Sequence, residues 1–328
     1  MSETLLEKRI GRKANPAPRV SVVMPAYNVA PFIAEAVDSV LAQTVDGYEI
    51  ILVNDGSPDT AQLEENLAGY LEDIVYLKQE NGGTARARNT AIEHSRGELI
   101  AFLDGDDKWL PEYLSEQIRF LDAGGLDMVY SNALLFGAVR SARETYMDRS
   151  PSDGPADFVA LVSGRCNVIT SGTLVRKQRI LDVGMFDTEL PRIGMEDFDL
   201  WLRLARAGAR IGYQRKVLLG YRVRPDSLSG TSIQHALRDV VGLKAVKKKL
   251  DLTPSEEKVW RQALDKAEAA LFLETGKAQL RREAFGEARR SVRAANAYYR
   301  RPKLQLIEWA LSVSPGIVVR LFKAMNPE

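Results

Sequence analysis

Residues 20–103 alternate short, unbroken apolar runs with stretches whose apolar positions recur every three or four residues. Val20-Ser21-Val22-Val23-Met24 is the first run, halted by Pro25. From Pro31 to Gln43 the residues Phe32, Ala36, Val37 and Val40 share one helical face, with proline in the first turn. Tyr48–Val53 reads as the second strand, closed by the turn signal Asn54-Asp55-Gly56-Ser57. A polar helix and a short strand, Ile74–Leu77, follow. Asn81-Gly82-Gly83-Thr84 then leads into a helix through Arg86, Arg88, Asn89 and Ile92 to His94. The fourth run, Leu99 to Leu103, completes an alternation of four strands with three helices. Runs this short, without polar alternation, describe strands buried on both faces, and their alternation with helices predicts a parallel sheet of the α/β class.

The pattern changes twice further on. Asp127–Ser131 is another strand, and Ser141–Gly154, polar and poor in pattern, reads as a mobile loop beside the site. In Met195–Arg203, Phe198, Trp201 and Leu202 form an apolar helical face continued by Leu204 and Ala205. Glu196 and Asp197 stand in that helix's first turn, where acids commonly serve as caps or dipole partners. Residues 230–328 are alanine-rich and helical, broken at Leu252-Thr253-Pro254 and Arg301-Pro302. Ala270–Ala295 resembles a tetratricopeptide-like helix pair, with Leu271, Phe272, Gly276, Leu280, Phe285, Ala288, Val292 and Ala295 inside. One pair cannot bury its face alone, so it is expected to pack on the α/β part or on a partner. Leu304–Met325, amphipathic and carrying Trp309 and Phe322 among basic residues, reads as helix packing, with an interfacial membrane segment as the alternative. The expected division is a flexible tail, 1–18, an α/β domain, 19–229, with halves 19–125 and 126–229, and a helical region, 230–328.

The chemistry gathers at Glu98–Pro111, ELIAFLDGDDKWLP, where a buried strand ends in Asp104, Asp106 and Asp107. Gly105 lets the backbone turn there. Open α/β sheets bind ligands at the carboxyl ends of their strands. Crowded carboxylates repel unless something positive lies between them. A divalent cation such as Mg²⁺ or Mn²⁺ meets that need, bound through one or two carboxylates and substrate phosphates. The bland reading is an acidic surface turn. Ala26-Tyr27-Asn28 and Asn54-Asp55 end on the same edge. Asp55 there can accept from a base or ribose, and Arg88 can offset phosphate charge.

Composition narrows the function. The 328 residues are 45% hydrophobic and 27% charged, as in an ordinary globular protein. With 45 basic against 44 acidic residues, the balance argues against a nucleic-acid binder. The charges are uneven, however: residues 240–328 carry +8, leaving −7 for the rest. A lone Cys166 fits a reducing compartment, and neither a secretory signal nor a membrane-spanning run is evident. The expected location is cytoplasmic, including the inner face of a membrane.

Val22-Val23-Met24-Pro25-Ala26-Tyr27-Asn28, Ile51-Leu52-Val53-Asn54-Asp55-Gly56-Ser57, Ala87-Arg88-Asn89, Ala101-Phe102-Leu103-Asp104-Gly105-Asp106-Asp107 and Glu196-Asp197 occur in order over residues 20–229. In this the chain resembles the family 2 glycosyltransferases, inverting, nucleotide-sugar-dependent enzymes of the GT-A fold. The resemblance implies a Rossmann-like, mostly parallel mixed sheet flanked by helices. Pro25, Ala26, Tyr27, Asn28 and Asp55 would hold the nucleobase, with Arg88 near base or diphosphate. Asp104, Gly105 and Asp106 would be the family's DxD element, Asp106 being the direct metal ligand and Asp104 facing the ribose. Asn167–Val175 resembles the acceptor-side strand, with a helix from Arg176 on. Asp197 would be the catalytic base, with Glu196, Trp201, Arg222 and Arg224 as acceptor or phosphate contacts.

The implied donor is a nucleotide sugar, a UDP-sugar first. The acceptor is a glycan or lipid-linked hydroxyl in envelope or extracellular polysaccharide synthesis, with weak peripheral membrane contact through the C-terminal region. One departure stands out: Tyr221-Arg222-Val223-Arg224-Pro225-Asp226-Ser227-Leu228-Ser229 has Arg224 where many members carry His, and arginine does not ligate metals. The Gln-x-x-Arg-Trp motif of processive synthases is missing, which favours single-sugar addition. Two alternatives are a sugar-nucleotide nucleotidyltransferase and a non-catalytic binding protein on this fold. The first would want a basic, glycine-rich loop where Pro25-Ala26-Tyr27-Asn28 stands. Against the second stand intact Asp104, Asp106 and Asp197.

Overall fold

The computed structural model describes residues 5–12, 14–139, 141, 143–224 and 232–325, the last five of these and Ser232 by backbone alone. The chain divides into two compact units, Met1–Arg224 and Pro225–Glu328. The expected boundary at residue 229, with Asp226, Ser227, Leu228 and Ser229, lies outside the described residues.

The first unit is built on nine strands: β1 (Leu5–Ile10), β2 (Val20–Ala26), β3 (Tyr48–Asp55), β4 (Ile74–Gln79), β5 (Leu99–Phe102), β6 (Lys108–Trp109), β7 (Met128–Gly137), β8 (Thr173–Arg176) and β9 (Ile211–Val223). They form one sheet in the order β1-β4-β3-β2-β5-β8-β7-β9-β6. Its centre is parallel: β2 pairs with β3 and β5, and β3 with β4. β8 enters antiparallel between β5 and β7, so the two expected halves share a single sheet.

The helices of this unit are α1 (Ala30–Leu41), α2 (Thr60–Leu67), α3 (Thr84–His94), α4 (Tyr113–Ala123), α5 (Tyr146–Arg149), α6 (Phe158–Val162), α7 (Lys177–Asp182) and α8 (Glu196–Arg206). α1 shows why they pack: Ile33, Ala36, Val37 and Val40 recur at helical spacing and are buried against Val22, Met24 and Leu52 of the sheet.

Four expectations change. The tail expected to be flexible contains β1, an edge strand antiparallel to β4, its main chain tied by the ladder although most of its side chains are exposed. Pro25 does not stop β2. Val23 accepts from the Leu103 N–H on the β5 side, and Pro25, two residues on, faces that side past the last β5 partner, so no ladder donor is lost. The loop expected at Ser141–Gly154 holds α5, closed by a Thr145–Asp148 capping box. The apolar run Asn167–Val175 is strand only from Thr173; Thr170–Gly172 is a 3₁₀ turn.

The second unit comprises α9 (Ser232–Lys247), α10 (Pro254–Arg281), α11 (Phe285–Tyr299), α12 (Pro302–Val313) and α13 (Pro315–Met325). Thr253 caps α10, and Pro302 opens α12, at the two breaks expected. The α10–α11 pair does not need an outside surface: Leu280, Ala288 and Val292 are covered by Leu304, Leu311 and Val319 of α12 and α13. Phe272, expected inside the pair, is exposed.

Candidate active site

β2, β3 and β5 run parallel, so Ala26, Asp55 and the turn after Phe102 reach one edge of the sheet. In that turn the Asp107 N–H bonds the Asp104 carbonyl at 3.0 Å. Gly105 is required there by space. A Cβ would lie 2.9 Å from Val29 Cγ2 and 3.1 Å from Ile33 Cδ1, at the start of α1.

Each acid of the turn already has a partner. Arg88, on α3, donates to Asp104 at 2.7 Å and to Glu196, the first residue of α8, at 3.0 Å. Arg88 is 3% exposed, and its guanidinium lies 5.5 Å from the Phe186 ring. Burial works against that charge, yet Asp104, Glu196 and Asp197 together drive its pKa above the usual arginine value. Burial raises Glu196 above the ordinary carboxylate range, with Arg88 opposing.

Asp106 is raised by burial and then by the charge of Asp104, while Arg224 at 3.2 Å pulls it back. Asp107 is pushed well up by burial and its acidic neighbours, against bonds from Ser171 and from the Arg222 N–H at 2.7 Å. The alternation of β9 puts Arg222 and Arg224 on one side, both over the Phe32 ring. Arg222 is clamped further: Phe136 lies on it at 4.3 Å, its Nε donates to the Asp106 carbonyl at 2.7 Å, and it pairs with Glu35.

The turn Thr170–Gly172 joins the acids of β5 to those of α8. Ser171 Oγ accepts from the Asp104 N–H at 3.1 Å, and Thr170 Oγ1 donates to Asp197 Oδ2 at 2.6 Å. Trp109 and Gln117 hold the turn from behind through the carbonyls of Ser171 and Gly172, at 2.7 and 2.8 Å. At the other end of the edge, Asp55 is buried beneath the Gly82-Gly83 loop. It accepts from the Gln79 side chain at 2.7 Å and from the Gly82 and Gly83 N–H groups at 2.8 Å each. Burial raises its pKa, and those three bonds resist the rise. Asn28 takes a left-handed conformation, φ 55°, its N–H bonded to Ser57 at 2.7 Å, and leaves Tyr27 exposed.

The expected residues thus fall along one edge, with differences. Trp201 is not at the surface: it is 2% exposed and packs on Phe102 with ring centres 6.1 Å apart. Arg88 is enclosed by two carboxylates, and Arg222 and Arg224 are neither solvated nor loose. Thr170, Ser171, Glu35, Phe32 and Phe136 were missed; the one signal for the first two was a Thr-Ser-Gly triplet interrupting a β-branched run.

Among the described residues no three His, Cys, Asp or Glu side chains are grouped to hold an ion by themselves. Asp104 and Asp106 are two part-exposed carboxylates at one strand end, the number that Mg²⁺ or Mn²⁺ takes from a protein when phosphate oxygens complete the shell.

Residues 21–179 match the family described as Glycosyl transferase family 2. An uncharacterized glycosyltransferase of Rickettsia typhi is 31% identical over 230 residues, covering 66% of this chain and 68% of that protein. An Escherichia coli enzyme named UDP-Glc:alpha-D-GlcNAc-diphosphoundecaprenol beta-1,3-glucosyltransferase is 28% identical over 230 residues, 69% of this chain and 86% of its own. The chain spans only 30% and 36% of two longer relatives, from Rickettsia bellii and Rickettsia felis. In fold it is similar to S. aureus TarS in complex with UDP-GlcNAc, with a TM-score of 0.57 at 16% identity over 93% of this chain and 90% of that one. It is also similar to a Pyrobaculum calidifontis mannosyltransferase in complex with GDP-Man and Mn²⁺, with a TM-score of 0.60 at 18% identity over 100% and 92%.

Proposed function

Because the chain belongs to the family 2 glycosyltransferases and has their GT-A fold, we propose that it is an inverting, metal-dependent hexosyltransferase that adds one sugar per acceptor. The donor is a nucleoside-diphosphate sugar, a UDP-sugar first. The acceptor is a hydroxyl of a glycan or lipid-linked precursor in envelope or extracellular polysaccharide synthesis. One observation carries this reading: Thr170 holds Asp197 while the adjacent Ser171 holds the Asp104–Asp107 turn, so one turn fixes both sets of acids. The name of the E. coli relative, with its UDP-Glc donor and diphosphoundecaprenol-linked acceptor, supports the substrate class.

Inversion at the sugar C1 requires the acceptor hydroxyl to attack from the face opposite the departing diphosphate. Asp197 takes that hydroxyl's proton, a contribution of about 10²–10⁴-fold. Thr170 fixes one carboxylate oxygen, and the other accepts from the Phe198 N–H. Pro25–Asn28 and Asp55, with the loop that Asp55 pins, receive the nucleobase and ribose. Asp106 and Asp104 would hold Mn²⁺ or Mg²⁺, whose charge offsets the one that builds on the leaving diphosphate. No covalent intermediate is needed, so Cys166, His94 and His235 have no part.

Residues 19–229 form the catalytic domain in this reading, and 230–328 an accessory helical region. No helix among the described residues is long and apolar enough to cross a membrane. The helical region meets the cytosolic leaflet peripherally, through α12 and α13. The decisive experiment pairs a panel of UDP-, GDP-, TDP- and CDP-sugars, screened by thermal shift with and without Mn²⁺, with NMR of the product anomer. A stabilising donor and an inverted anomeric linkage are expected; retention of configuration would refute the mechanism.

A further inference from the structure

The three acids after β5 differ in how firmly they are committed. Asp107 is buried and bonded to Ser171 and to the Arg222 main chain. Asp104 is held by Arg88, which is itself enclosed between two carboxylates. Asp104 and Asp106 are both part-exposed, their side chains 33% and 25%, and Asp106 Oδ2 faces Arg224 Nη1 at 3.2 Å. That arginine directly follows β9 and closes the first unit.

The two arginines of the β9 end are not equivalent. Arg222 is fixed by its own N–H to Asp107, by Nε to the Asp106 carbonyl, by Glu35 and by two aromatic rings, so moving it would break the sheet end as well. Arg224 meets Asp106 through its side chain and lies over the Phe32 ring at 4.8 Å. Its pair with Asp106 lies outside the β7–β9 ladder, whose last pair is Gly137 with Val223.

We propose that Arg224 is a built-in counter-cation that competes with the divalent metal for Asp106 and so sets the metal affinity of this site. The inference rests on the metal reading given above. A guanidinium and a divalent ion cannot share Oδ2: their like charges repel, and the planar fork of arginine fills the direction a metal would take. For the metal to enter, Arg224 must swing off Asp106. A nucleoside diphosphate gives it a destination, because phosphate oxygens accept a guanidinium bidentately. Metal and nucleotide then bind with positive coupling: each ion pair lost at Asp106 is replaced by one at the diphosphate, and the metal alone binds poorly.

The test is titration of Mn²⁺ into the full chain, followed by EPR of the free ion, with and without UDP or GDP. Without nucleotide, Arg224→Ala is expected to bind Mn²⁺ about tenfold more tightly than the wild type, the factor that results if Arg224 covers Asp106 nine-tenths of the time. Arg224→Lys, which keeps the charge, should stay near the wild type, and Asp106→Ala should lose the site. With nucleotide present, the gap between Arg224→Ala and the wild type should narrow. Equal Mn²⁺ affinity in the wild type and Arg224→Ala, with Asp106→Ala impaired, would overturn the competition while leaving the metal reading intact. No Mn²⁺ bound by any of the four proteins, even with nucleotide, would overturn both. Thermal melts of each variant show whether it is folded; should Arg224→Ala melt early, Arg224→Gln takes its place in the same comparison.

Discussion

Arg88 and Glu196 stand 108 positions apart in the sequence and 3.0 Å apart in the structure. The same guanidinium reaches Asp104, so one buried cation ties the donor-side acids to the first turn of α8. Removing it leaves the mostly buried Glu196 and the part-exposed Asp104 without their cation. Breaking a buried pair from one side costs about 3–5 kcal/mol. Arg88→Met should therefore lower stability by that amount in urea denaturation. Donor binding should weaken too, since Asp104 loses its anchor. A variant as stable as the wild type would show that Glu196 does not depend on this cation.

Asp197→Asn keeps the size of the side chain and its bond with Thr170 but cannot take a proton. Transfer should fall by about 10²-fold or more while donor affinity stays nearly unchanged. Single-turnover kinetics beside donor titration separates the two. A joint collapse of both would make Asp197 a structural residue of α8.

Asp127 gives a pH prediction away from the site. Burial would raise it, but the Arg210 N–H at 2.8 Å and Arg179 at 3.1 Å outweigh burial and hold it below its ordinary value. A carboxylate depressed in the folded state stabilises the fold above its unfolded pKa, and that gain is lost as pH falls through the folded value. Asp127→Asn should cost about 1.5–3 kcal/mol at pH 7, the worth of hydrogen bonds to a charged group. The gap should begin to narrow near about pH 4, the unfolded value, and go on closing as pH falls through the lower folded one. Melting curves from pH 3 to 8 would show a constant gap if charge played no part.

The membrane contact can be tested by surface variants. Leu306, Trp309 and Val313 form one stripe of α12, 63%, 61% and 63% exposed, continued by Ile317 on α13. Arg301, Lys303 and Arg320 are exposed beside it, each worth about 1 kcal/mol near an anionic leaflet. Deleting Leu304–Glu328 would not separate anchoring from packing, because Leu304, Leu311 and Val319 belong to the core of the helical unit. Phe322 lies outside the described side chains. Leu306→Ser with Trp309→Ser should keep the melting temperature and abolish weak, salt-sensitive sedimentation with anionic vesicles. Unchanged sedimentation would remove the stripe from consideration.

The central strands were legible because burial on both faces leaves them uniformly apolar, as in Ile50–Val53 and Leu99–Phe102. The acidic strand end could be read for the same reason, since polar groups abruptly follow such a run. Its cations were expected on phosphate, but their pairing with these acids could not be read. Arg88 and Arg224 come from 16 and 118 positions away, and only the closed sheet brings them to Asp104 and Asp106. Sequence reasoning put a metal between the acids; the fold also supplies two arginines. The Thr170 turn escaped notice because threonine and serine suit a strand as well as a tight turn.

β1 has a consequence for handling the protein. It lies at the margin of the sheet, with Lys8 and Arg9 exposed and Glu7 half-buried. Behind it runs β4, Ile-Val-Tyr-Leu-Lys-Gln, a segment with strong strand preference. An uncovered edge of that kind is a template for another chain, and charged residues on the covering strand are a common defence. A version beginning at residue 14 would keep every residue assigned to catalysis and yet lay β4 bare. It should fold, and then self-associate with rising concentration.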